Sequence, residues 1–152
     1  MPYIQVYIHL VWTTKERFPF LNSLEVREKV WKHIKENALS KSIYLDFVGG
    51  HIDHCHALLS LGNDKSLSEI MQLIKGESAY WINKTKLTKE KFAWQDEYFA
   101  GGVAYDRIDI VRNYIRKQEE HHKKRTFHDE YEDFLNRNGF ELLKDGQVIK
   151  RS

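Results

Sequence analysis

Apolar and polar residues alternate from the start of the chain. Residues 4–14 (IQVYIHLVWTT) switch face at every step and are rich in β-branched and aromatic types, which predicts a long first strand. Ser23 then stands as an N-cap before residues 24–39, where Val26, Val30, Ile34 and Ala38 recur at helical spacing. Two further strands are predicted over 43–49 and 53–61, joined through Gly49, Gly50 and the residues after them. A second helix is predicted over 67–84, with Ser66 and Glu69 as a capping box and Ile70, Leu73, Ile74 and Trp81 as its apolar face. Residues 92–103 (FAWQDEYFAGGV) read as an irregular strand ending in a diglycine turn. Helices are expected over 106–122 and 130–136, followed by a weakly patterned tail at 140–152.

The order β-α-β-β-α-β followed by helices is that of an α+β, ferredoxin-like or RRM-like antiparallel sheet. In that arrangement two helices cover one face, and the other face is left for a ligand or a partner subunit. No repeat, low-complexity tract or linker interrupts the pattern, so residues 1–152 are expected to form a single domain.

Composition narrows the function classes. With 41% hydrophobic and 30% charged residues, the chain has the balance of a globular protein rather than of a disordered one. No apolar run approaches the ~20 residues of a membrane span, and the alternating N-terminus does not read as a leader. A single cysteine, Cys55, excludes an internal disulfide framework and suits a reducing cytoplasm, where the protein is expected to act. The net charge of +2 permits a nucleic-acid partner without demanding one, although Lys, Arg and His gather at 112–125.

Two short patterns carry candidate chemistry. In DHCHALLSL, His54 and His56 are two apart on a strand and so emerge on one face, with Cys55 and Leu58 expected on the other. Neutral imidazoles are common ligands of divalent metals, but for the pair alone the plainer reading is two histidines on the wet face of a strand, or one buried and hydrogen-bonded. In VRNYIRKQEEHH, Tyr114 and Gln118 lie one helical turn apart, with Val111 and Ile115 packing that side inward. The glutamine oxygen suits a hard cation, while the plainer reading is a half-buried tyrosine hydrogen-bonded to the glutamine. His51 and Asp53 flank the histidine pair and are expected as turn residues or as partners orienting an imidazole. His121 and His122 are expected to be exposed.

Taken together, these patterns resemble the HUH single-tyrosine transposases, the IS200-like insertion-sequence transposases and their REP-associated relatives. IHLVWTTKERFPFL, GGHIDHCHALLSL, MQLIKGESAYWIN and YIRKQEEHH all look like that family, in its order, over about residues 3–137. Cys55 stands where an aliphatic residue is usual and can fill that place as a small hydrophobe. The resemblance implies Tyr114 as a nucleophile toward single-stranded DNA, giving a 5′-phosphotyrosine. It also implies Mg²⁺ or Mn²⁺ held by His54, His56 and Gln118, a hairpin-bearing DNA substrate and a homodimer. Because the phosphotyrosine conserves bond energy, no nucleotide cofactor is needed, and none of the chain reads as a phosphate-binding GxxxxGK[ST] loop.

Backbone contacts to DNA would come from Lys15, Arg17, Lys75, Arg112, Arg116 and Lys117, and stacking platforms from Trp12, Phe18 and Trp94. Tyr98, Tyr105 and Tyr131 are rival nucleophiles, but none has a glutamine one turn later. Two other classes stay open: a non-catalytic single-strand or hairpin-binding module on the same sheet, and a small metal hydrolase, which would leave Tyr114 without a role.

Overall fold

The computed structural model describes residues 2–122 and 125–151, apart from the side chain of His121. The chain divides into two compact units, Met1–Gln118 and Glu119–Ser152.

The first unit is built on a four-stranded antiparallel sheet. Its strands are β1 (Val6–Thr13), β2 (Tyr44–His51), β3 (His54–Leu61) and β4 (Phe99–Val103), in the spatial order β2-β3-β1-β4. This is the ferredoxin-like order expected from the pattern. Helices α1 (Leu24–Ser40) and α2 (Leu67–Lys84) begin where their caps place them: Ser23 accepts from the Val26 amide, and Ser66 and Glu69 form a complete capping box. Both helices lie on one face of the sheet, where Leu10, Trp12, Cys55, Ala57 and Leu59 meet Val30, Ile34, Ala38, Ile70, Met71 and Ile74 in the main core. The buried stripe of α2 runs through Ile70, Met71, Ile74, Ser78 and Ile82. Leu73, expected inside, is 37% exposed, because it sits at the margin of that stripe.

The opposite face is not left open. Helix α3 (Ile108–Arg116) lies across it, and Ile108 and Ile115 pack with Leu58, while Tyr7, Phe47, Val103, Val111 and Tyr114 surround them. Leu58 therefore shares the face of His54 and His56 rather than that of Cys55, as its even-numbered separation from both histidines requires. Gly49 and Gly50 lie inside β2, not in the turn after it. A Cβ on Gly49 would come within 2.9 Å of the Ile115 carbonyl oxygen, so this glycine sets how closely α3 can approach the strand. Gly50 is packed more tightly still against the backbone of the hairpin: a Cβ there would fall 2.2 Å from the His54 carbonyl oxygen.

Two expected elements change shape. The strand predicted over 92–103 is regular only as β4, preceded by a single bridge between Trp94 and Thr14, and its two glycines are strand residues rather than a turn. The helix predicted over 106–122 starts with a 3-10 turn at Tyr105–Arg107 and breaks at Lys117 (φ −95°, ψ 18°), before a short α4 (Gln118–His121).

In the second unit α5 (Phe127–Arg137), capped by Thr126, packs on β5 (Phe140–Leu142), which pairs with β6 (Val148–Lys150). The tail that carried no clear pattern thus forms a short hairpin. His122, expected to be exposed, has its Nε2 2.9 Å from a Glu130 carboxylate oxygen. The side chain of His121 lies outside the described residues.

Candidate active site

Strand parity brings the candidate residues to one surface. His54 and His56 leave β3 toward α3, and both are buried (0% and 1% exposed) although they are polar. Burying two imidazoles is costly unless each nitrogen is engaged, so their partners matter.

His54 lies between two such groups. Its Nδ1 is 2.9 Å from Asp53 Oδ1, and its Nε2 is 3.1 Å from Gln118 Oε1. Asp53 is thus more than a turn residue. Burial alone would push its carboxyl upward, but the hydrogen bond and electrostatic attraction of the His54 ring, with Arg17 3.4 Å away, outweigh burial and hold it below the ordinary value of 3.8. An anionic Asp53 favours a proton on His54 Nδ1. Nε2 then presents a lone pair, and that lone pair and the Gln118 carbonyl oxygen are two neutral donors side by side. Such a pair fits a divalent cation and leaves the charge of the ion undiminished for a substrate.

His56 is held differently. Its Nδ1 is 2.9 Å from Nε2 of His9, a residue of β1, with the two rings 5.1 Å apart. Tyr114 is half-buried and lies edge-on to both, its ring 5.8 Å from His56 and 6.1 Å from His9. His9 was not singled out in the sequence. Its signal was parity: Tyr7, His9 and Val11 alternate with the core residues Ile8, Leu10 and Trp12, which puts His9 on the face of the histidine pair.

The break at Lys117 sets the relation between Tyr114 and Gln118. They do not stack along one continuous helix; the Lys117 amide closes α3 onto Asn113 and Ile115, and Gln118 starts the next turn, only 1% exposed and aimed at His54. Within one chain, then, the structure brings together His54, His56, Gln118 and Tyr114, with Asp53 and His9 behind them.

The remaining candidates are spread more widely. Of the rival tyrosines, Tyr105 is 75% exposed, Tyr98 packs against the main core, and Tyr131 lies on Phe127. Lys15 is exposed in the 3-10 turn after β1, and Arg17 beside it faces Asp53. Lys75 points its ammonium at the carbonyl oxygens of Gln95, Asp96 and Glu97, and burial lowers its pKa, only partly offset by those two acidic side chains. Arg112 bridges Asp46 of β2 and Asp109, Arg116 bonds Asn113, and Lys117 is exposed. Trp12 and Trp94 meet edge to face at 5.8 Å inside the core, while Phe18 is 44% exposed against Phe20. Cys55 points away from the histidines into the main core, where burial raises its thiol pKa well above the usual range.

Comparison with known proteins bears on the fold and the family. A search of curated proteins finds no match. Among solved structures, a candidate transposase from Deinococcus radiodurans R1 is similar in fold, with 22% identity, a TM-score of 0.61, and coverage of 78% of this chain and 95% of that one. A REP-associated tyrosine transposase bound to a REP hairpin is similar at 15% identity and a TM-score of 0.58, over 80% of this chain and 72% of the other. Among the described residues no helix is long and apolar enough to cross a membrane. The family described as "Transposase IS200 like" matches residues 2–118, the stretch that carries the sheet, both histidines, Tyr114 and Gln118, and the chain belongs to that family.

Proposed function

We propose that this transposase cuts and rejoins single-stranded DNA through a covalent 5′-phosphotyrosine on Tyr114, with Mg²⁺ or Mn²⁺ held by His54, His56 and Gln118. The observation that carries the reading is the convergence, on one sheet face, of a half-buried tyrosine with two buried histidines and a buried glutamine. An IS200-like transposase is a DNA-cleaving enzyme, and these residues supply a complete set for that chemistry.

In the cleavage step the Tyr114 oxygen forms a bond to phosphorus as the P–O3′ bond breaks, and the departing 3′ oxygen takes up a proton. Rejoining runs in reverse: a 3′-hydroxyl attacks the phosphotyrosine, and Tyr114 leaves and regains its proton. Free tyrosine has a pKa of ~10, so only about a thousandth is phenolate near neutrality. When bound, the divalent ion supplies charge neutralisation at the phosphate and stabilises the transition-state oxygens. Asp53 orients His54, and Gly49 lets α3 carry Tyr114 and Gln118 close to the strand that bears the histidines.

The substrate proposed is hairpin-bearing DNA. The solved relative bound to a REP hairpin supports this class. Lys15, Arg17, Arg116 and Lys117 are proposed to follow the DNA backbone. Lys75 and Arg112 are proposed to contribute to the same path while also holding the 95–97 segment and α3 in place. Excision needs two cleavages and each chain offers one such tyrosine, which supports a homodimer working in the cytoplasm, without a nucleotide cofactor.

The test is incubation with hairpin-bearing single-stranded DNA from the flanks of the gene, with Mg²⁺ or Mn²⁺, resolved on a denaturing gel. A metal-dependent protein–DNA adduct that Tyr114→Phe abolishes is the expected result. Tight binding with no adduct on any flank or metal would instead favour the non-catalytic binding module.

A further inference from the structure

We propose that His9 is a positioning residue that selects the tautomer of His56. This inference rests on the metal-holding role proposed above for His54, His56 and Gln118.

A neutral imidazole has one N–H and one lone pair, and the partner of one nitrogen decides which atom keeps the proton. For His54 that partner is the Asp53 carboxylate, an acceptor that draws the proton to Nδ1. For His56 the group that meets Nδ1 is Nε2 of His9, at 2.9 Å. Two arrangements satisfy this contact. If His9 Nε2 donates, His56 Nδ1 is the acceptor and its proton sits on Nε2, where it blocks ligation. If His9 Nε2 accepts, His56 carries its proton on Nδ1 and turns a lone pair outward at Nε2, the same atom that His54 turns toward Gln118. Only the second makes His56 a ligand, and it requires His9 to hold its own proton on Nδ1.

The fold holds His9 where it can do this. It is 8% exposed on a central strand, opposite Leu58 in register, with Val11 opposite His56. Its ring also lies 6.1 Å from Tyr114, so one side chain fixes the orientation of His56 and limits the sideways movement of the tyrosine. The two ligand histidines are thus oriented by unlike groups, a carboxylate behind His54 and an imidazole behind His56. Such partners typically change metal affinity by about 10–100-fold when removed.

Two measurements test this on the full chain without DNA. The first is Mn²⁺ binding, followed by the loss of the free-ion EPR signal and checked against thermal melts, for wild type, His56→Ala, His9→Phe and His9→Gln. The expected result is that His9→Phe, which keeps a ring but no acceptor, weakens Mn²⁺ binding by about 10–100-fold, whereas His9→Gln, whose amide oxygen can accept from His56, recovers most of it. Binding that depends on His56 but not on His9, or His9→Gln as weak as His9→Phe, overturns the role of His9 alone. Wild-type binding indifferent to His56→Ala overturns the metal reading and this inference with it. The second measurement needs no variant: long-range ¹⁵N–¹H correlation of the histidine rings in wild type. Nδ1–H tautomers for both His9 and His56 are expected; a proton on Nε2 of His56 overturns the proposal.

Discussion

The two faces of β3 are made by alternate residues of one eight-residue strand, and they do opposite work. Cys55, Ala57 and Leu59 point into an apolar core under α1 and α2, where shape and volume are the only demands. His54 and His56 point toward α3, equally buried, into a set of polar contacts: Asp53 and Gln118 meet the two nitrogens of His54, and His9 meets Nδ1 of His56. Burial is the same on both faces, so burial does not mark the site. What marks it is polar burial with directional contacts, which contributes less to stability than an apolar filling and fixes geometry in return.

The largest effect expected from breaking this contrast is on the chemical face. Tyr114→Phe removes the nucleophile and nothing from the core, so adduct formation should fall by at least about 10³-fold while the thermal midpoint barely moves. Denaturing gels and melts on the same sample check both halves. Leu59→Ala is the mirror experiment. It should lower stability by about 2–5 kcal/mol in urea unfolding and leave the adduct yield per folded molecule unchanged. If that yield collapsed as well, the two faces would not be separable.

Gly49→Ala tests how the faces are joined. Its new methyl would meet the Ile115 carbonyl oxygen at 2.9 Å, and backbone cannot rotate aside as a side chain can. The expected cost is about 1–3 kcal/mol from displacement of α3, together with a drop in adduct rate of roughly tenfold or more as Tyr114 and Gln118 leave their positions. A variant with reduced stability but an unchanged rate would show that α3 is not the positioning element.

The smallest effect is a pH dependence. Asp53 is held below its ordinary pKa in the folded state, so its contribution to stability is present above the unfolded value and is lost as pH falls through the folded one. Wild type should therefore lose thermal stability more steeply than Asp53→Asn between about pH 5 and pH 3. Parallel curves would mean that the pairing with His54 and Arg17 does not stabilise the fold.

Much of this molecule is legible in its residues, for a local reason. The period of a strand or helix is a property of a few neighbouring positions, so the alternation of 54 and 56, the caps at Ser23 and Ser66 and the bounds of α2 could be read directly. Even the misplacement of Leu58 is repaired by counting parity. The resemblance carried by GGHIDHCHALLSL and YIRKQEEHH named the family that the match over residues 2–118 shows.

What the sequence could not determine depends on residues far apart in the chain. That Gly49 is a seat for α3 rather than a turn follows from the approach of Ile115, sixty-odd residues later, which no local pattern encodes. The break at Lys117 that turns Gln118 onto His54 lies within a stretch with good helical periodicity, so only packing on the sheet could reveal it. The pairing of His9 with His56 exists because β1 lies beside β3 in one register; a shift of one residue would send His9 into the opposite core. Sequence period decided which face each side chain takes, and tertiary register decided which side chains meet there.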